Sequence, residues 1–283
     1  MSKFLLIAAL AMLLVTPVMG ADTFTGFPND NALVDGQGYE RDSSWMPFEF
    51  VGTSTVGAAA YLGATTGDSV TNCLTSTAKT WIAPESGVTF EIASSSASDT
   101  LEGSAALTVR GWFIDDDGDL NIEDLTLIGQ TVISTTGTDY IACIGLKVLT
   151  CGTAEAAAGD IYAAADDTFS SGVPQTASKI WCKIPAGYGC SQNAFGWVPA
   201  GTKGRITSLN FSNNACGGYA RYLLIVRPWK EGGEQVIKRW DVNDQSNPVF
   251  EPIDLPEKCY FDIRAYNSTA TTEVQVSGTY ELK

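Results

Sequence analysis

The 283-residue chain contains no histidine. This absence excludes Ser-His-Asp and Cys-His catalysis, histidine general bases and histidine-ligated zinc. An enzyme built from this sequence would have to use paired carboxylates, a lysine or a carboxylate-bound metal, and a catalytic pair cannot be chosen from 32 acidic residues without a fold. We therefore interpret the chain as non-enzymatic and assign no catalytic residue and no cofactor.

Basic residues are also scarce. The chain has 17 Lys and Arg against 32 Asp and Glu, a net charge of −15. Because binding to phosphate groups needs a basic surface, this balance excludes nucleic acid as a partner and disfavours anionic lipid. Charged residues make up only 17% of the chain, whereas 28 residues are glycine and 10% are aromatic. This composition is typical of a β protein with many turns.

The N-terminus combines one positive charge, Lys3, with a short apolar run over residues 4–15 and small residues up to Gly20. The pattern predicts a secretory signal peptide over residues 1–20, with a retained hydrophobic anchor as the alternative. Cleavage would export the protein and leave no stable membrane span. Residues 21–85 have weak periodicity, which predicts an irregular arm or first layer.

Seven cysteines follow the predicted signal, and none forms a CxxC pair. Export makes disulfides plausible, and the two pairs with matching separation are Cys182–Cys190 and Cys143–Cys151. The alternative is that the cysteines are small, buried apolar residues.

Strands dominate the rest of the chain. Residues 107–113 and 120–127 alternate apolar and polar side chains on either side of Asp115–Asp119, where Asp-Gly predicts a hairpin tip. Further strands are predicted at 89–92, 132–133, 140–148, 179–184, 192–198, 205–211, 219–227, 235–240, 260–266 and 273–282. The pattern predicts an all-β, jelly-roll-like antiparallel β-sandwich, in one or two subdomains spanning 86–178 and 179–283.

A turn sequence occurs twice, as Pro185-Ala186-Gly187 and as Pro199-Ala200-Gly201. Proline presets φ and glycine accepts a positive φ, so each copy ends a strand and redirects the chain. Two such turns this close together predict antiparallel strands.

The acidic hairpin tip is the densest group of oxygen ligands in the chain. Asp115, Asp117 and Asp119 are candidate Ca²⁺ ligands, although the EF-hand spacing is not met. A solvated hairpin tip without metal is the alternative interpretation.

An ordered series of motifs resembles a β-rich virion structural protein family of tailed phages, especially marine ones, over about residues 86–283. The motifs are 90–100, 107–109, 125–129, 158–161, 184–189, 198–203, 224–228, 255–258 and 262–265. The resemblance implies a jelly-roll-like component of the virion surface, a capsid-decorating or fibre protein. Its implied partners are further copies of itself or other virion proteins.

The alternative function is an exported glycan-binding β-sandwich module. Aromatic faces pack against sugar rings, and the residues that would form such a platform are Trp181, Tyr188, Phe195, Trp197, Trp229 and Trp240. Large aromatic side chains also fill sandwich cores and oligomer interfaces, which is the interpretation we favour.

Overall fold

The residues that the computed structural model describes form eighteen strands, and every pairing between them is antiparallel. The described residues are 46–56, 86–191, 195–213, 219–228, 235–243, 247–249, 252–267 and 272–283. Within these ranges one 3₁₀ turn, Ala177–Lys179, interrupts the strands. The predicted all-β antiparallel sandwich fold is confirmed.

Strands β2 to β10 form a first sandwich. They are β2 (Phe90–Ser94), β3 (Ala106–Asp115), β4 (Leu120–Thr126), β5 (Ile133–Ser134), β6 (Tyr140–Cys151), β7 (Ile161–Ala165), β8 (Phe169–Ser170), β9 (Val173–Pro174) and β10 (Ile180–Ile184). A sheet of order β10-β7-β2-β5 faces a sheet of order β4-β3-β6, and β8 pairs with β9. Between the two sheets, the ring of Phe113 lies 5.4 Å from Phe90 and 4.8 Å from Tyr140.

The second sandwich contains the remaining strands. They are β1 (Met46–Val56), β11 (Phe195–Val198), β12 (Gly204–Asn213), β13 (Tyr219–Pro228), β14 (Gln235–Asn243), β15 (Asn247–Val249), β16 (Ile253–Leu255), β17 (Cys259–Asn267) and β18 (Thr272–Leu282). One sheet has the order β1-β18-β12-β15, with β16 also on β12, and the other has the order β11-β17-β13-β14. Phe211 of β12 packs on Tyr222 of β13 at 4.4 Å, so the two sheets face each other across an aromatic core.

One hydrophobic core runs through both sandwiches. Trp181 of β10 and Phe195 of β11 join the two halves, with ring centroids 5.9 Å apart. Strand β11 pairs with β17 of the second sandwich. Strand β10 belongs to the first sandwich because it pairs with β7.

Strand β1 lies within residues 21–85, the region predicted as an irregular arm or first layer. Residues 46–56 pair with β18 along eleven residues, from Met46 opposite Leu282 to Val56 opposite Thr272. The predicted signal or anchor over residues 1–20, and the rest of the predicted arm, lie outside the described residues. Among the residues that are described, no helix is long and apolar enough to cross a membrane.

Both Pro-Ala-Gly segments form the predicted turns. The N–H of Tyr188 donates to the carbonyl of Pro185 at 3.0 Å, and the third residue, Gly187, has φ of +82°. In the second copy Gly201 has φ of +64°. Each turn redirects the chain between sheets, because β10, β11 and β12 belong to three different sheets.

Candidate functional site

A buried carboxylate, Asp99, organises one end of the first sandwich. Its two oxygens accept four hydrogen bonds: from the Ser94 hydroxyl at 2.5 Å and from the backbone N–H groups of Ala106, Ala158 and Gly159 at 2.9–3.0 Å. The side chain of Asp99 has no solvent exposure. Hydrogen bonds to an ionised acceptor are the strong class, so this set offsets the cost of burying the charge. We call these five residues the Asp99 network.

The Asp99 network joins segments that are far apart in sequence. The N–H of Gly129 donates to the backbone carbonyl of Asp99 at 2.7 Å, and the N–H of Gly187 donates to the carbonyl of Ala157 at 2.8 Å. The joined segments are 94–99, 125–129, 157–160 and 185–188. All four overlap motifs of the ordered series in the sequence, so these motifs meet at one end of the first sandwich.

A second carboxylate, Asp160, holds the first Pro-Ala-Gly turn. It accepts hydrogen bonds from the N–H of Ala186 at 2.9 Å and from the hydroxyl of Tyr162 at 3.1 Å, and it forms an ion pair with Lys183 at 3.3 Å. Burial alone would raise the pKa of the Asp160 carboxyl, but the Ala186 N–H and the Lys183 charge outweigh it and hold the pKa below its usual value. Asp160 therefore stabilises the fold above its ordinary pKa, and this contribution is lost as pH falls.

The second Pro-Ala-Gly turn uses a carboxylate in the same way. The N–H of Gly201 donates to Glu257 Oε2 at 2.8 Å, and the N–H of Ala200 donates to the carbonyl of Gly118 at 2.9 Å. Gly118 lies at the tip of the β3–β4 hairpin, so the acidic tip contacts the second sandwich. The repeated turn is thus a structural element that is held by an acidic side chain in both copies.

The predicted hairpin at Asp115–Asp119 is confirmed, and the carboxylate of Asp115 closes it. The carboxylate of Asp115 accepts the N–H groups of Asp117 and Asp119 at 3.1 and 2.8 Å and the Asn121 amide at 2.6 Å. Asp115 is therefore occupied in closing the turn. Within the described ranges, no group of three acidic or cysteine side chains has the geometry to hold a metal ion.

Glu123, on the second strand of this hairpin, also accepts hydrogen bonds. Glu123 accepts the N–H groups of Thr136 and Gly137 and, at 2.6 Å, the hydroxyl of Tyr140. Burial alone would raise the pKa of Glu123, but these three donors outweigh it and lower that pKa. Glu123 thus fastens the loop before β6 to strand β4.

Calcium and chelators are expected to leave the thermal stability unchanged. If no ion binds the hairpin tip, adding millimolar Ca²⁺ or EDTA cannot shift the unfolding equilibrium by mass action. Differential scanning calorimetry of the wild type and of Asp117→Asn checks this, since Asp117 would be a ligand of the predicted site. A rise in Tm with Ca²⁺ that Asp117→Asn abolishes would show that the hairpin tip binds calcium.

The predicted Cys143–Cys151 bridge is wrong. Both cysteines lie on β6, eight residues apart, and an extended strand separates them by roughly 27 Å at about 3.4 Å per residue. A disulfide needs Cα atoms within about 7 Å of each other. The structure records both residues as thiols.

The predicted Cys182–Cys190 bridge is also not formed. Cys182 lies in the core, where its Sγ donates to the carbonyl of Cys143 at 3.3 Å, whereas Cys190 forms a backbone bridge with Lys147 of β6. The turn after β10 therefore directs the chain towards β6 instead of back along β10. Cys182, Cys190 and Cys259 are recorded as thiols, and Cys73 and Cys216 lie outside the described residues.

The aromatic residues proposed as a sugar platform are mostly internal. Trp181 and Trp197 are each 2% exposed, and Trp240 packs against Phe211 at 4.9 Å. The core interpretation is therefore confirmed for Trp181 and Trp197. Tyr188 is exposed, Phe195 is half-buried against Trp181, and Trp229 lies outside the described residues.

In the sequence Asp99 stands out only as part of a motif, and its role as a buried hydrogen-bond acceptor was not predicted. The signal was present, because Asp99 ends a run of serines that precedes a strand, a pattern in which acidic side chains bind backbone N–H groups. Its partners Ala158 and Gly159 lie 59 and 60 residues away, and no local pattern reports a contact of that range.

Comparisons with known proteins leave the family open. No family model and no curated protein matches the chain. Among solved structures, it is similar to the N-terminal CBM22-1-CBM22-2 tandem domain of Paenibacillus barcinonensis Xyn10C, at 11% identity and a TM-score of 0.25 over 92% of this chain and 97% of that one. It is also similar to infectious bursal disease virus structures of the Gt strain (7% identity, TM-score 0.20) and the Gx strain (13%, TM-score 0.21), each covering 83% of this chain and 71% of that one. Likeness at these TM-scores carries no functional argument.

Proposed function

We infer that the chain is a non-enzymatic structural protein of a virus particle, a surface component that decorates a capsid or forms part of a fibre. The observation that carries this proposal is that hydrogen bonds to Asp99, Asp160 and their neighbours join four motif segments at one end of the first sandwich. The carboxylates there accept hydrogen bonds mainly from backbone N–H groups, so the motifs build a scaffold. A shared set of scaffold motifs fits a family whose members assemble and do not catalyse.

Exposed apolar side chains on the same loops support docking. Leu101, Ile128 and Tyr188 are 60%, 54% and 52% exposed. Ile128 forms a backbone bridge with Thr100, next to Leu101, and Tyr188 follows the turn held by Asp160. Loops held this firmly can present apolar groups to a partner with little further loss of conformational entropy. This favours contact with another protein of the particle.

The alternative, an exported glycan-binding module, has weaker support. Of the five described residues proposed for the sugar platform, Tyr188 alone is exposed, and Trp181 and Trp197 are internal. A single ring provides one stacking face. We expect wild type to bind no glycan on an array. Binding by wild type that is lost in Tyr188→Ala would instead support the glycan-binding function.

Mass spectrometry of purified particles tests the leading proposal. Particles made by a host that carries the gene should contain this chain at a fixed stoichiometry to the major capsid protein. Particles that lack the chain, from a host in which it is expressed, would overturn the virion assignment. Washing the particles with salt distinguishes a built-in component from an adsorbed one, since surface-adsorbed charged proteins are released by screening.

A further inference from the structure

One row of side chains crosses the outer face of the β4-β3-β6 sheet. Asp124 of β4 lies opposite Arg110 of β3, and Arg110 lies opposite Lys147 of β6. A backbone bridge beyond β6 places Cys190 opposite Lys147. Residues directly opposite each other in antiparallel strands point to the same face, so these four form one row, which we call the charged row. It faces outward, because Val109, the neighbour of Arg110 in β3, points to the other face and is buried in the core.

The charges of this row are not balanced. Arg110 donates to both oxygens of Asp124, through Nε at 2.6 Å and Nη2 at 2.8 Å, and this bidentate pair satisfies the Asp124 carboxylate. Lys147 has no equivalent partner, since within the described part of the chain it forms no ion pair with an acidic side chain. Its neighbours across the row are the like charge of Arg110 and the thiol of Cys190.

The surroundings of Lys147 oppose its positive charge. Burial lowers the pKa of the Lys147 ammonium, and the charge of Arg110 adds to this effect, against an opposing influence of Cys190. A carboxylate brought to this position by another molecule would favour the charged form, because an opposite charge within about 4–6 Å stabilises it. Lys147 is therefore suited to receive a carboxylate from outside the chain.

Exposed apolar side chains border the charged row on both sides. Ile122 of β4 lies on the side of the hairpin tip. Leu149, at a bulge of β6 two residues after Lys147, lies on the other side, next to the segment that carries Tyr188. Three of the six large apolar side chains that are exposed in the described part of the chain thus lie around Lys147. Exposed apolar groups gathered in one place mark interaction sites.

We propose that this outer face docks an acidic segment of another protein of the virus particle. A partner Asp or Glu carboxylate binds Lys147, and apolar side chains on either side of that carboxylate pack against Ile122, Leu149 and Tyr188. We call the surface formed by these four residues the Lys147 face. The proposal rests on the inferred function, because it names the surface and the chemistry by which the chain is held on the particle.

Charge complementarity selects a protein carboxylate as the occupant. Nucleic acid and anionic lipid are bound by several cations at once, whereas Arg110 is already paired, which leaves Lys147 as the one cation of the charged row that a ligand could neutralise. A second copy docked through the same face would bring only a second Lys147, since its Asp124 is also paired. A glycan would find a single ring, Tyr188, to stack on. One carboxylate among apolar side chains matches this face, and complementary charge gives a protein interface its specificity.

Carbodiimide cross-linking of purified particles tests the contact directly. The reagent activates a carboxylate and couples it to a lysine amine without a spacer, so it joins groups that are already in contact. Mass spectrometry should find the Lys147 peptide joined to an Asp- or Glu-containing peptide of another particle protein. Lys183 is the internal control, because it lies 3.3 Å from Asp160 and should be coupled within the chain. Coupling at Lys183 without coupling at Lys147, or coupling of Lys147 to a peptide of this same chain, would overturn the proposal.

Charge reversal gives an independent test. Lys147→Glu should lower the number of copies per particle at least about tenfold, because like charges then meet at the contact. Leu149→Glu should act in the same direction, since it adds an acidic side chain beside the partner carboxylate at an exposed position. Lys147→Arg keeps the charge and should be incorporated like wild type. Lys203→Glu is the matched control, because it makes the same charge change at an exposed lysine between β11 and β12, and it should also be incorporated like wild type.

Particle composition separates the docking face from the inferred function. If wild type is absent from particles, both are wrong. If wild type is present and Lys147→Glu is incorporated equally well with an unchanged Tm, the docking face alone is wrong. An equal loss of Lys203→Glu would indicate a general effect of net charge and would also overturn the assignment to Lys147.

Discussion

Replacing Asp99 with alanine is expected to lower the free energy of unfolding by about 4 kcal/mol or more. The substitution removes the acceptor of four hydrogen bonds at a site with no solvent exposure. Each buried donor left without a partner costs roughly 1–3 kcal/mol, and the three backbone N–H groups cannot turn to find another acceptor. Urea denaturation followed by tryptophan fluorescence measures the change.

Two matched substitutions separate the network from the general loss of an acidic residue. Asp254→Ala removes an ion pair with Arg205 at 2.8 Å, but the side chain of Asp254 is 77% exposed, so we expect at most about 1 kcal/mol. Asp99→Asn keeps the shape and one acceptor oxygen, and its cost should lie between the other two. If Asp99→Ala is as stable as Asp254→Ala, the Asp99 network does not organise the fold.

Sequence predicted the parts of the fold that depend on neighbouring residues. The β3–β4 hairpin was found because Val109 and Leu125, both buried, lie between less buried neighbours on either side of an Asp-Gly turn. Strand β7 was missed for the opposite reason. All five of its residues, Ile161–Ala165, are buried, so it has no alternation, and its alanines have little strand preference.

Long-range pairing limited the rest of the prediction. Strand β1 was not predicted because its pairing partner, β18, lies more than 200 residues later in the chain. The disulfide predictions were wrong for the same reason, although both cysteine pairs are eight residues apart. Cys143 and Cys151 lie on one strand, β6. Cys182 contacts Cys143, whereas Cys190 pairs with Lys147. Spacing alone cannot distinguish a hairpin from a continuing strand.

The polar contacts of the candidate site required the fold for the same reason. The sequence placed Asp115 in a hairpin tip, and the geometry of that local turn was predicted correctly. It could not reveal that the tip contacts Ala200, or that Asp99 and Asp160 bind loops from elsewhere in the chain. Acidic side chains that bind backbone N–H groups look the same in sequence as acidic side chains that bind metal.

Gly172→Ala is expected to be among the most destabilising single-methyl substitutions in the described structure. Gly172 has φ of +74°, and a Cβ there would lie 1.8 Å from the backbone carbonyl oxygen of Ser94, which belongs to the Asp99 network. Relief would require moving the backbone beside Asp99, so we expect a loss of about 4 kcal/mol or a chain that does not fold.

Gly187→Ala is the control, because Gly187 has φ of +82° with nothing within 4 Å of the added methyl. It bears the backbone strain alone, about 1–2 kcal/mol. Calorimetric Tm values and soluble yields of the two variants measure the difference. If Gly172→Ala melts within about 2 °C of Gly187→Ala, close packing against Ser94 does not constrain this end of the sandwich.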